Sequence, residues 1–137
     1  MNVFWLSHHP EHELNRCFRM GGLPVCARCV GTYPLLFAVI ALQVAIKAPL
    51  SLPHEVFWVP ALTVPALVDW AWGRFHPASG SNAWRLVTGC GLGLCLGRAL
   101  YVHFQTPFPQ VLIAVLSLVT LVATPVILAT YRRSLRR

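Results

Sequence analysis

The chain has 137 residues, 56% of them hydrophobic and only 11% charged, with a formal net charge of +7. The length fits one unit, a single membrane domain over 1–137, and a charged fraction far below the roughly 25% of soluble proteins excludes an ordinary water-soluble globule. The positive balance argues for no nucleic-acid partner: four of the eleven basic residues, Arg132, Arg133, Arg136 and Arg137, close the chain behind an apolar run, as at a membrane flank.

The N-terminus lacks the marks of a signal peptide. Its first residues carry no basic start, and His8, His9 and Pro10 interrupt a short apolar run, so retention from Met1 is expected. The segment 1–29 is rich in cysteine and histidine and ends where the first long apolar stretch begins. Within it, Gly21-Gly22 allows the chain to fold back between Cys17 and Cys26.

Crossing a hydrocarbon core of about 30 Å takes roughly 20 mostly apolar residues in a helix. Four segments approach this, at about 30–48, 52–72, 82–101 and 107–130. Gln43 is the one strongly polar interior residue of the first. Pro60 and Pro65 predict a kink in the second, which ends with Asp69 among Val68, Trp70 and Trp72. The third holds Gly89, Gly93 and Gly97 at intervals of four, a small-residue face suited to close packing. Cys90 and Cys95 lie off that face and read as packing residues. The fourth is interrupted by Pro125 and followed at once by the arginine cluster.

With four spans, Arg16, Arg19, Arg28, Arg74, Arg85 and the C-terminal arginines share one side, leaving Lys47 in the loops of the other. Both termini are therefore expected in the cytoplasm and the chain in the inner (cytoplasmic) membrane. Arg98 breaks the pattern: it falls inside the third span, where it either snorkels outward or meets a buried partner. His54, Glu55 and His103 fall in or near the opposite loops. The fold expected is all-α, a four-helix transmembrane bundle with a Cys/His-rich cytoplasmic segment in front.

The chemistry concentrates at the cytoplasmic edge. In Cys26-Ala27-Arg28-Cys29, two intervening residues let both sulfurs face a common centre, as in zinc sites and in dithiol redox centres. Cys17 and His9, with His8 in reserve, complete a Cys3His set for zinc, and iron or copper also accept such donors. Four ligands make a structural site; three leave a position for water and for hydrolysis, with Asp69 or His76 as base. The dithiol alternative uses Cys26 and Cys29, with Arg28 stabilising a thiolate. An aspartate at a bilayer edge is costly unless paired, hydrated or ligating, and its structural explanation is an ion pair with Arg74 or Arg85. Ser79 to Asn82 reads as a turn and helix cap. A third alternative is an assembly subunit whose Gly89, Gly93 and Gly97 face meets a second copy or a larger membrane complex.

Over about His8 to Gly97 the chain resembles a family of small multi-pass bacterial and archaeal membrane proteins of unknown function. The resemblance rests on Arg16-Cys17-Phe18, on the run from Gly22 to Tyr33 that contains Leu-Pro-Val-Cys-Ala-Arg-Cys-Val-Gly-Thr-Tyr, and on Ser81 to Gly89. It implies a multi-pass helical protein with the N-terminal Cys/His cluster, Asp69, Asn82 and Arg85 as functional positions. It implies no reaction. The chain departs from the family pattern at Pro34 and at Trp70-Ala71.

Overall fold

A computed structural model describes residues 11–76 and 79–135. A short 3-10 helix, Glu11–Arg16, leads into two antiparallel strands, β1 (Cys17–Met20) and β2 (Leu23–Cys26). Gly21 and Gly22 form the two-residue turn with φ of +59° and +84°, the conformation that matches strand twist and that glycine adopts without steric cost. Met20 faces Leu23, Arg19 faces Pro24, and Cys17 faces Cys26. Hydrogen-bonded and open pairs alternate outward from such a turn, so Pro24 falls at an open pair that needs no N–H, and Cys17–Cys26 falls at the next open pair, where side chains lie closest.

Among the described residues five helices follow: α1 (Ala27–Ala45), α2 (Glu55–Ala61), α3 (Val64–Phe75), α4 (Asn82–Gln105) and α5 (Gln110–Leu135). Taken together α2 and α3 are long enough for one crossing, so the described residues hold four segments long and apolar enough to span a bilayer. The spans start and end a few residues from the sequence-based bounds, at Ala27–Ala45, Glu55–Phe75, Asn82–Gln105 and Gln110–Leu135. The kink expected in the second span is a break at Leu62 and Thr63. Pro65 cannot supply a backbone donor, and the Thr63 hydroxyl donates to the Pro60 carbonyl at 2.7 Å. The small hairpin adds the only strands among the described residues to an otherwise helical fold.

The central helix is α4, and α1 lies along it. Their approach is set by glycine on both helices: a Cβ at Gly89 would stand 2.4 Å from the Arg28 carbonyl oxygen, one at Gly93 2.5 Å from that of Thr32, and one at Gly31 2.4 Å from that of Leu86. Thr32 Oγ1 uses the closeness to donate across the interface to the Gly89 carbonyl at 3.1 Å. The expectation that Gly89, Gly93 and Gly97 present a free face to a second copy is thereby corrected, because α1 occupies that face within the same chain. The apolar core of Val59, Cys95, Tyr101, Val102, Val111 and Val115 fills the end of the bundle away from the hairpin. Phe37, Phe57, Phe104 and Leu121 are exposed on the helices, the distribution of a protein whose outer solvent is lipid.

Candidate functional site at the hairpin end

Cys26 closes β2 and occupies the position before the first turn of α1, so the end of the hairpin and the start of the helix are one structural unit. Cys17 stands opposite Cys26 across the strands, and Cys29 follows three residues later in α1. Cys29 lies beside Cys26 and within electrostatic range of Cys17 and Arg28. Cys17 and Cys26 are buried and Cys29 half-buried, all as free thiols. The sequence-based neighbourhood of the three cysteines is therefore present. Among the described residues, however, no three His, Cys, Asp or Glu side chains form a group disposed to hold a metal ion. His9 and His8, the expected imidazole donors, lie outside the described residues.

Arginines and an amide fasten this unit to the bundle. Arg28, between the two cysteines of α1, forms an ion pair with Asp69 of α3. Arg16 donates to the Gly73 carbonyl at 3.2 Å, one turn further along α3. A side chain at Gly73 would meet the Arg16 guanidinium at 3.7 Å, so the glycine leaves room for that group. Asn82, at the start of α4, donates through Nδ2 to the Cys17 carbonyl at 3.3 Å. Arg85, one turn on, donates to Asn82 Oδ1 at 3.3 Å and to the Ser79 carbonyl at 2.7 Å. Ser81 caps α4, accepting from Trp84 N at 3.1 Å, as its sequence position suggests.

Several candidate roles change in this setting. Asp69 pairs with Arg28 rather than with Arg74 or Arg85, because α1 brings Arg28 across to α3. Arg74 instead lies over the Trp70 ring, 5.4 Å from its centroid. His76 stacks on Trp72 with ring centroids 4.3 Å apart and is exposed. Neither Asp69, held by a guanidinium, nor His76, stacked on an indole, is arranged as a free base beside the thiols.

A second polar cluster, which the sequence reading did not assemble, lies toward the other end. Arg98 donates to Glu55 Oε2 through Nε and Nη2, and to Gln43 Oε1 through Nη1 at 3.0 Å. Gln43 in turn donates to the Val39 and Gly97 carbonyls, tying α1 to α4. Glu55 also lines a cavity of about 490 Å³ with Leu52, His54, Val102 and Gln110. The signal available in sequence was that Gln43 and Arg98 both interrupt apolar spans.

Taken together, four spans and a thiol-bearing hairpin strapped to them by arginines define a polytopic helical membrane protein with a polar cluster toward each end of its bundle. The chain belongs to the family described as "Predicted membrane protein (DUF2085)", whose model matches residues 9–99, a region that includes the hairpin, Asp69, Asn82, Arg85 and Arg98. No curated protein and no solved structure matches it.

Proposed function

We propose that this membrane protein carries a thiolate metal centre, for zinc, at the cytoplasmic edge of the inner membrane, with both termini in the cytoplasm. The observation that carries the reading is the register of the hairpin, which sets Cys17 opposite Cys26 while Cys26 and Cys29 touch across the first turn of α1. Two adjacent thiols with a third nearby supply most of a tetrahedral set, and an imidazole from His9, or His8, ahead of the hairpin completes it. The role is structural. Asp69 and His76 are engaged elsewhere, and a closed site would pin β1, β2 and α1 together at the point where Asn82 and Arg28 already hold them. Iron and copper(I) suit the same donors, so metal identity is read from the protein itself.

The test is elemental analysis of full-length protein purified without added metal, beside Cys26→Ser, Cys29→Ser and His9→Ala, with Cys90→Ser as control. Near-stoichiometric metal in the parent and in the control, lost in Cys26→Ser and Cys29→Ser, is the expected result. Metal-free parent protein overturns it.

One observation favours a second reading, a dithiol oxidoreductase: Cys26 and Cys29 are neighbours across the first turn of α1, and no three-donor group exists among the described residues. In that case the two thiols form one disulfide, passing two electrons and two protons to a partner disulfide, which opens to a dithiol. Metal-free parent protein whose Cys26–Cys29 pair cycles reversibly in a glutathione buffer would establish it.

A further inference from the structure

The geometry points to a binding site for a phosphate group at the Arg85 guanidinium, on the edge between α3 and α4 beside the hairpin. Arg85 is only 7% exposed. Its hydrogen bonds go to neutral acceptors, Asn82 Oδ1 and the Ser79 carbonyl. Asp69 is the carboxylate whose field it feels, and Asp69 is already the ion-pair partner of Arg28. Arg16 and Arg28 add positive potential at the same point. Two guanidiniums thus share one carboxylate, and among the described residues the buried one has no acidic group of its own in contact.

The helix makes the imbalance larger. Arg85 follows the Ser81 cap of α4 by four residues, near the positive end of the helix dipole, and the first turn contains no acidic side chain. A buried cation in that position is unfavourable unless an anion comes to it. Donors are in supply: a guanidinium carries five N–H groups in a planar fork that fits two oxygens of one phosphate, and Arg28 Nε is buried without an acceptor. Access is also provided. Gly80 is exposed, has φ of +91°, and a Cβ there would stand 2.9 Å from Arg85 Nη2 and 3.6 Å from Asp69 Oδ1. As a glycine, residue 80 puts no side chain of its own over this guanidinium and carboxylate. At a bilayer edge the phosphate comes from a lipid headgroup or from a free phosphate, and the recognition chemistry is the same. The site does not depend on metal at the thiols.

The experiment follows thermal unfolding of the full-length protein in a neutral detergent, in phosphate-free buffer at fixed ionic strength. Inorganic phosphate, short-chain phosphatidic acid and short-chain phosphatidylcholine are added separately, to the parent, to Arg85→Gln and to Arg85→Lys. Saturable stabilisation of the parent by phosphate or by phosphatidic acid, beyond that given by chloride or phosphatidylcholine, is expected, weakened about tenfold or more in Arg85→Gln. A response to phosphate identifies a free anion, and a response to phosphatidic acid alone identifies a headgroup. If Arg85→Gln does not fold, Arg85→Lys, which keeps the charge and loses the fork, decides: weakened binding supports the site and parental affinity overturns it. Absence of stabilisation by either phosphate compound, or equal stabilisation in Arg85→Gln, also overturns it. Repeating the titration on the metal-free Cys26→Ser, Cys29→Ser protein separates this outcome from that of the thiol site.

Discussion

Arg98 and Glu55, 43 residues apart in sequence, meet inside the bundle through two donors on one carboxylate oxygen, Nε at 3.0 Å and Nη2 at 2.7 Å. Each side chain is almost wholly removed from solvent, at 5% and 10% exposure. Removing one partner strands the other as a buried charge. Glu55→Gln or Arg98→Gln is therefore expected to destabilise the fold by about 3–5 kcal/mol, and the paired change Glu55→Leu with Arg98→Met by much less than the sum. Unfolding in mixed micelles measures all of these. Additive losses in the pair would show that the two side chains act independently.

The ion pair at the hairpin end should be the weaker of the two. Arg28 is 22% exposed at its side chain, so water at the bilayer edge hydrates what Asp69 would leave behind. Asp69→Asn is expected to cost about 1–2 kcal/mol, a loss between that of an exposed pair and that of a buried one. The same micelle titration ranks it against Glu55→Gln, and a larger loss for Asp69→Asn would contradict the ordering.

Two kinds of glycine can be told apart by substitution. At Gly93 an alanine methyl would meet backbone, the Thr32 carbonyl oxygen at 2.5 Å, and α1 and α4 would have to separate. At Gly21 nothing lies within 4 Å, and the penalty comes only from φ of +59°. Gly93→Ala is expected to cost about 1–3 kcal/mol through overpacking, and Gly21→Ala about 1–2 kcal/mol through the backbone alone. Replacing Gly21 by Asn, which tolerates that conformation, should recover most of the second loss and does not apply to the first.

What the sequence made legible followed from local pattern. The four crossings are apolar runs of the right length, the glycine spacing marked α4 as a close-packing helix, and Gly21-Gly22 marked the fold-back that pairs Cys17 with Cys26. What it hid were partners chosen by helix rotation and by the break in the second span. Glu55 reads as a loop residue, yet α2 starts there and turns it toward Arg98. Asp69 has Arg74 and Arg85 nearby in sequence, but α1, held against α4 through Gly31 and Gly89, carries Arg28 to it instead. Gly31, which lies outside the regular stripe, is as tightly placed as Gly89 and shows only in the packed pair.

The side of the membrane on which the hairpin sits can be read by labelling. Arg133 lies over the Phe75 ring, 4.8 Å from its centroid, so the end of α5 shares the hairpin end of the bundle, while Lys47 follows α1 at the other end. An excess of arginine at the hairpin end predicts that it faces the cytoplasm. In intact cells a membrane-impermeant maleimide should modify Lys47→Cys and reach Arg133→Cys only after permeabilisation. The reverse pattern would move the thiols outside and remove the cytoplasmic argument for metal.

The last prediction uses the strand register to separate metal binding from redox chemistry. Cys17 and Cys26 face each other at an open pair of an antiparallel ladder, where Cα atoms lie about 4.5 Å apart and side chains approach most closely. That separation falls at the short end of the range a disulfide accepts, while Cys26 and Cys29 touch across the first helical turn. Metal-stripped protein treated with a mild oxidant should therefore form a disulfide to Cys26, located by peptide mass mapping, whereas Cys90 and Cys95, on different faces of α4, should remain free. Thiolates bound to zinc are ligands rather than free nucleophiles, so a metal-loaded sample should resist the same treatment. Equal oxidation of loaded and stripped protein at Cys26 would place the metal away from the hairpin, and oxidation that a glutathione buffer reverses would shift the weight to the dithiol reading.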